Sequence, residues 1–221
     1  MSASMSKRRF QYQPGVGSPG NPVMPAASPA LAVFALLFAT ALASTAQAGT
    51  ADIVNGNFDT SLLGWDLSGT PSPIWSMLDY QNNPGSGSAL LSNAEAQAGA
   101  RVYPMRQCVS VATAGSHALE ADGFLPAGHA GGRLVVSYAT RAVANCSGGA
   151  NSLGGYFLQS NGAWVHGSIN FVINPPYTYL EVTLGIEKDD AGGLLSGNLD
   201  GVQVIDRERI FAHGFEVTDP S

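Results

Sequence analysis

Four aromatic side chains stand beside polar loop residues: Trp75, Tyr80, Tyr156 and Trp164. Asn82, Asn83, Gln159 and Asn161 lie close to them in sequence. A flat ring can bury the apolar C–H face of a sugar while Asn, Asp and Gln bond its hydroxyls. The four rings are therefore candidate contacts for a glycan. The competing assignment for each is core packing, the commoner fate of aromatics in a domain of this kind. Trp65, in the Gly64-Trp65 pair, reads as core, as do Phe58, Phe157, Phe171 and Leu184.

Carboxylates offer a second chemistry. Asp59 lies in the stretch 53–65, IVNGNFDTSLLGW, and Asp200 in the stretch 198–205, NLDGVQVI. Strands from the two ends of a domain often lie side by side. That arrangement would bring Asp59 and Asp200 to one corner, with Asp52 or Asn57 near them. Ca²⁺ takes about six to eight oxygens from carboxylates and carbonyls, so Asp59 and Asp200 are the candidate metal ligands. The alternative is that they cap turns or bond backbone amides.

Enzyme signatures largely fail. Glu120 and Asp122 share one face of a strand, and Glu120-Ala121-Asp122 begins like the Glu-x-Asp-x-x-Glu motif of jelly-roll β-glucanases. The third acid is missing, because position 125 is Leu125. Retaining glycoside hydrolysis needs two carboxyl groups about 5–5.5 Å apart across the scissile bond, and the sequence shows no aromatic cleft around this pair. No G-x-S-x-G elbow is present. His117, His129, His166 and His213 are scattered, none at ligand spacing. Gly15, Gly17 and Gly20 form a G-x-G-x-x-G with Pro19 inside it and no preceding strand, a chance match. The residues read as non-catalytic.

These groups must be held by a chain of 221 residues. Residues 1–48 carry Lys7, Arg8 and Arg9, no acid, an apolar run at Ala30–Ala43, and Ala46-Gln47-Ala48 before Gly49. Basic, apolar and small-residue regions in that order predict a secretory signal peptide. The apolar run is short for a bilayer span, so no stable membrane insertion is expected after cleavage. The remainder, 49–221, suits one domain. The leader holds three of the ten basic residues and none of the sixteen acids, so the exported part has a net charge of about −9. That supply of Lys and Arg argues against a nucleic-acid partner. Cys108 and Cys146 both lie in the exported part, and an even count in an oxidising compartment predicts a disulfide.

Strand signals are short and separated by Gly, Pro, Asn and Ser clusters. They predict strands near 53–54, 74–78, 89–91, 107–111, 116–124, 132–139, 154–159, 165–171, 179–187 and 199–205. Tyr179–Ile186, YLEVTLGI, alternates with the period of a half-buried strand. No apolar period of 3.6 persists over three turns after residue 48. The pattern predicts an all-β protein, an antiparallel β-sandwich or barrel.

The opening Asn55-Gly56-Asn57-Phe58-Asp59, then Gly64-Trp65, and the closing Leu199-Asp200-Gly201-Val202 together resemble a known frame. It is that of the cellulose- and xylan-binding type of jelly-roll carbohydrate-binding module. Gln107-Cys108-Val109, Asn145-Cys146-Ser147-Gly148, Trp164 and Pro175-Pro176 follow in the order such exported bacterial domains show. The resemblance implies a jelly roll over 49–206, a glycan or polysaccharide partner, and a structural Ca²⁺ near Asp59 and Asp200. Asp59 stands where that family often has Glu. The tail, 207–221, contains IFAHGFE at 210–216, similar to endings on exported proteobacterial proteins. The combined reading is an exported, periplasmic, cell-surface or extracellular glycan-binding protein. A structural or adhesive surface protein is the alternative, and a small glycoside hydrolase the third.

Overall fold

The computed structural model describes residues 53–129 and 131–207. The leader (1–48) lies outside the described residues, as does the tail apart from Arg207. Ten strands form: β1 (Asp66–Leu67), β2 (Ile74–Ser76), β3 (Ser88–Asn93), β4 (Arg101–Ser110) and β5 (Gly115–Phe124), then β6 (Arg133–Arg141), β7 (Leu153–Leu158), β8 (Trp164–Ile173), β9 (Tyr179–Glu187) and β10 (Leu195–Asp206). They make two five-stranded antiparallel sheets. The front sheet has the order β1-β4-β9-β6-β7 and the back sheet β2-β3-β10-β5-β8. The protein is an all-β sandwich with a jelly-roll frame.

Alternation decides which side chains enter the core. In β9, Leu180, Val182, Leu184 and Ile186 are buried inside, while Glu181, Thr183, Gly185 and Glu187 take the other face. A strand's side chains have period two, so one hydrophobic set fixes both faces. Leu119 and Ala121 of β5 and Leu199, Val202 and Val204 of β10 meet that set from the back sheet. Phe58, Trp65, Phe171 and Leu184 are buried as the sequence predicts. Phe157 is not: it is 44% exposed on the outer face of the front sheet. Its neighbour Tyr156 turns inward instead. Counting the strand one residue out of phase moves every ring to the wrong side.

The predicted first strand at 53–54 is a turn, and the first strand is β1. Strand β4 starts six residues earlier than its pattern predicts, at Arg101. Pro104 hid that start, because proline cannot donate to a ladder. The strand absorbs it with a register shift between Val102 and Met105 against β9, and the Pro104 carbonyl accepts the Ser68 N–H at 2.8 Å.

The opening motif works as a turn. Asn55 and Phe58 adopt left-handed backbone angles, with φ of 53° and 46°. The Asn55 amide donates to the Ser61 carbonyl at 2.8 Å, and Trp65 Nε1 donates to the Asn55 carbonyl at 3.2 Å. Phe58 is thereby driven into the core, 5.7 Å from the Trp65 ring. Gly56 touches β10: its carbonyl accepts the Val202 N–H at 3.0 Å. A Cβ at Gly56 would sit 1.9 Å from the Val202 carbonyl oxygen, so no larger residue fits. Gln107 braces the same loop, accepting from Val54 N–H at 2.8 Å and donating to the Val54 and Gly64 carbonyls, each at 2.9 Å. The Cys108–Cys146 disulfide ties β4 to the loop after β6 across a separation of 38 residues.

Candidate functional site

The outer face of the front sheet carries charge in an ordered pattern. Glu181 and Glu187 lie on the same side of β9 and are nearly buried, at 8% and 6% exposure. Each is held between two arginines from the flanking strands. Arg101 of β4 reaches Glu187 through Nε at 2.5 Å, and Arg133 of β6 reaches it through Nε at 2.8 Å. Arg141 of β6 reaches Glu181 through Nε at 2.8 Å, and Arg106 of β4 through Nη1 at 3.3 Å. Arg106 also pairs with Asp66 at 3.4 Å. Burial raises the affinity of Glu187 for a proton, but hydrogen bonds from Arg133 and Arg101 outweigh it and hold its carboxyl below the usual range.

Between the two clusters the face is lined by small and hydroxyl side chains. Ser137 and Thr183 share a 2.6 Å hydrogen bond across β6 and β9. The Tyr103 ring lies against Gly185, where a Cβ would come within 2.7 Å of it. The Phe157 ring sits under Arg133 at 4.0 Å and Arg101 at 4.9 Å, a cation–π arrangement. A groove of about 440 Å³ runs here, with Arg101, Tyr103, Ser137, Arg141, Phe157 and Thr183 along its walls. The arrangement presents partly exposed rings, a hydroxyl pair and guanidinium N–H groups to one ligand.

The aromatics singled out from sequence divide. Trp75 faces inward, packs on the core and donates Nε1 to the Phe58 carbonyl at 2.6 Å. Tyr156 also points into the sandwich, its ring against Gly167. Its hydroxyl is buried without a partner among the described residues, and burial pushes it far above the usual phenol range. Core packing, the competing assignment, describes Trp75, while Tyr156 packs inward and also borders the front groove beside Phe157. Tyr80 and Trp164 do meet, on the outer side of the back sheet, with ring centroids 6.4 Å apart. Phe124 joins Trp164 at 5.6 Å.

Beside those rings, Asp122 accepts from His166 Nδ1 at 3.3 Å, and burial raises its proton affinity against that partner. Glu120 is engaged by Ser168 at 3.4 Å, Gln203 at 3.4 Å and Arg207 at 3.5 Å. Asp59 accepts from the Ser86 hydroxyl at 3.1 Å. Asp200 is fully buried and accepts from the N–H groups of Gly201 at 2.7 Å and Tyr80 at 3.3 Å. Burial pushes the Asp200 carboxyl up to about 7, despite those two donors and helped by nearby Asp79 and Asp122. Among the described residues no group of three or more His, Cys, Asp and Glu gathers at metal spacing. Asp59 and Asp200 thus have separate protein donors, although the Gly56–Val202 bond joins their two segments.

No family model matches the chain, and no curated protein matches it. Solved structures do. One is the carbohydrate-binding module TmCBM61 in complex with β-1,4-galactotriose, at a TM-score of 0.50 and 16% identity, covering 70% of this chain and 97% of that one. The chain has the jelly-roll fold of carbohydrate-binding modules. A second structure similar to this module-like sandwich is the enzymatically active domain of bacteriophage CBA120 tailspike protein 4, at a TM-score of 0.51 and 14% identity. It is matched over 69% of this chain and 21% of that one.

Sequence reasoning missed the arginine–glutamate face of this module fold. Its signal was present: the alternation of Tyr179–Glu187 puts Glu181 and Glu187 on the face opposite the apolar set. The partners come from β4 and β6, and only the strand order reveals them.

Proposed function

We propose that this protein binds a glycan, without catalysis, in the groove on the outer face of the front sheet. The observation that carries this reading is the groove itself. Tyr103 and Phe157 offer ring surface for sugar C–H faces, and Ser137, Thr183 and the arginines offer hydrogen-bonding groups for hydroxyls. The module-type fold supports glycan binding in general. The lack of catalysis is supported by the Glu120 and Asp122 carboxylates, which are engaged by His166, Ser168, Gln203 and Arg207 on the back sheet. We read the protein as exported, a reading supported by the disulfide and the leader pattern.

The test is a glycan panel, measured by calorimetry on the wild-type chain and on Phe157→Ala. Binding of one glycan class, weakened about tenfold or more by Phe157→Ala, supports the groove. Equal loss in Trp164→Ala, on the back sheet, with Phe157→Ala silent, moves the site to the Tyr80–Trp164 surface. No binding of any glycan favours a structural or adhesive role.

A structural Ca²⁺ near Asp59 and Asp200 belongs to the same proposal. It is supported by the Gly56–Val202 contact between their segments and by the resemblance of the opening and closing motifs. Chelation that lowers the melting temperature, with recovery on adding Ca²⁺, is the expected result. An unchanged melting temperature removes the metal.

A further inference from the structure

We infer that the front groove is selective for acidic glycans, chains bearing uronate carboxylates; this rests on the glycan-binding reading above. The first observation is where the positive charge sits. After the leader the chain has seven basic residues against sixteen acids. Four of the seven, Arg101, Arg106, Arg133 and Arg141, stand on one outer face of one sheet. The other three basic residues, Lys188, Arg207 and Arg209, leave the rest of the chain net acidic.

The second observation is which charges are exposed. The carboxylates are sunk, with Glu187 and Glu181 side chains at 8% and 11% exposure. Three of the four guanidiniums above them are open, at 36% for Arg101, 41% for Arg133 and 47% for Arg106, whereas Arg141 is 19% exposed and donates to Glu181 and to the Gly148 carbonyl. Glu187 is shared by Arg101 and Arg133, which leaves that cluster one positive charge in excess, while at the other cluster Asp66 and Glu181 together balance Arg106 and Arg141. Glu187 binds Arg133 through Nε and Nη2 and holds it in place, with 41% of that side chain open to solvent. A guanidinium has five N–H donors in a planar fork, suited to a second, incoming carboxylate.

The third observation is spacing. Glu181 and Glu187 are six residues apart on β9, about 20 Å at the rise of a strand. Between the clusters lie the Ser137–Thr183 hydroxyl pair and Gly185 with Tyr103 over it. That floor suits the hydroxyl-bearing rings of an extended chain, with a carboxylate meeting Arg133 and Arg101 at the Glu187 end. A flexible acidic peptide would use the arginines and leave the ring-bearing floor idle.

The experiment titrates the full chain with oligosaccharides of galacturonate, glucuronate and mannuronate, each beside its carboxyl-reduced counterpart. At least one uronate chain is expected to bind at least tenfold tighter than its reduced form. The difference should shrink between 50 mM and 500 mM NaCl. Arg133→Gln should erase the preference for the acid, and Arg133→Lys should keep part of it. Circular dichroism and the melting temperature of each variant report folding. If Arg133→Gln does not fold, Arg101→Gln, which lines the groove beside Phe157, serves in its place. Equal binding of acid and reduced forms, abolished by Phe157→Ala, overturns the acidic preference and leaves the groove standing. No binding of either form, with a neutral panel also silent, overturns both. Binding of a poly-glutamate peptide in preference to every uronate chain overturns the glycan class.

Discussion

Gly56 shows how one residue can be fixed by its surroundings. The Val202 carbonyl occupies the place its Cβ would take, so Gly56→Ala must push the opening turn off β10. A loss of about 2–4 kcal/mol in urea unfolding is expected, comparable to severe overpacking. Asp200 makes a prediction about pH. Its folded carboxyl titrates at about 7, well above an ordinary aspartate. The folded state therefore holds that proton more tightly than the unfolded chain, and stability falls as pH rises from about 4 to about 7. The full effect is on the order of 4 kcal/mol at most. In chelator, so that no cation competes for the carboxylate, wild type should show this slope and Asp200→Asn should flatten it. An identical slope in both proteins assigns the effect elsewhere. Phe157 is the ring to remove at the groove. Its exposure means Phe157→Ala should cost affinity and little stability, whereas Trp65→Ala should cost about 3–5 kcal/mol of stability.

Strand β9 is the element that joins core to site. Its inner residues are among the most buried in the protein, and its outer residues anchor all four arginines of the front face. That coupling predicts acid sensitivity. The Glu187 carboxyl is held below its usual range, so its pairing contributes fully at neutral pH and is lost as pH falls below about 4. Glycan affinity should fall over the same interval, because a protonated Glu187 no longer fixes Arg101 and Arg133. Calorimetry across that range checks it, and an affinity unchanged down to pH 3 would falsify the positioning role of Glu187. The disulfide acts at this scale too, tying β4 to the loop after β6 across β5 and β6. The chain-entropy model gives about 4 kcal/mol for a loop of 38 residues. Paired Cys108→Ser and Cys146→Ser changes should therefore lower stability by a few kcal/mol while leaving the groove's selectivity intact.

For the whole molecule, charge is distributed against its own average. Residues 49–221 are net acidic yet keep four of their six arginines on one sheet face. The back sheet carries Glu120, Asp122 and Asp200 behind the Tyr80–Trp164 rings. The two outer faces of one sandwich thus differ in sign, and a polyanionic ligand has one face to approach. Association should slow as salt rises, since the attraction between exposed charges is screened beyond about 10 Å at 0.1 M ionic strength.

The sequence alone determined the class of fold. Alternation in β6, β9 and β10, turn residues between short strands, and two cysteines are local properties, legible one stretch at a time. It also marked Phe58, Trp65 and Leu184 as core, because their motif or alternation leaves them one side to face. What it could not settle was phase where the pattern is weak. In Leu153–Leu158 two rings adjoin with glycines before them, and only packing against Gly167 decides that Tyr156 goes in and Phe157 out. Nor could it assemble the groove. Glu181 and Glu187 are close in sequence, but their arginines arrive from β4 and β6, far along the chain. Strand order brings them together, and strand order is set by the burial of the whole core rather than by any one strand.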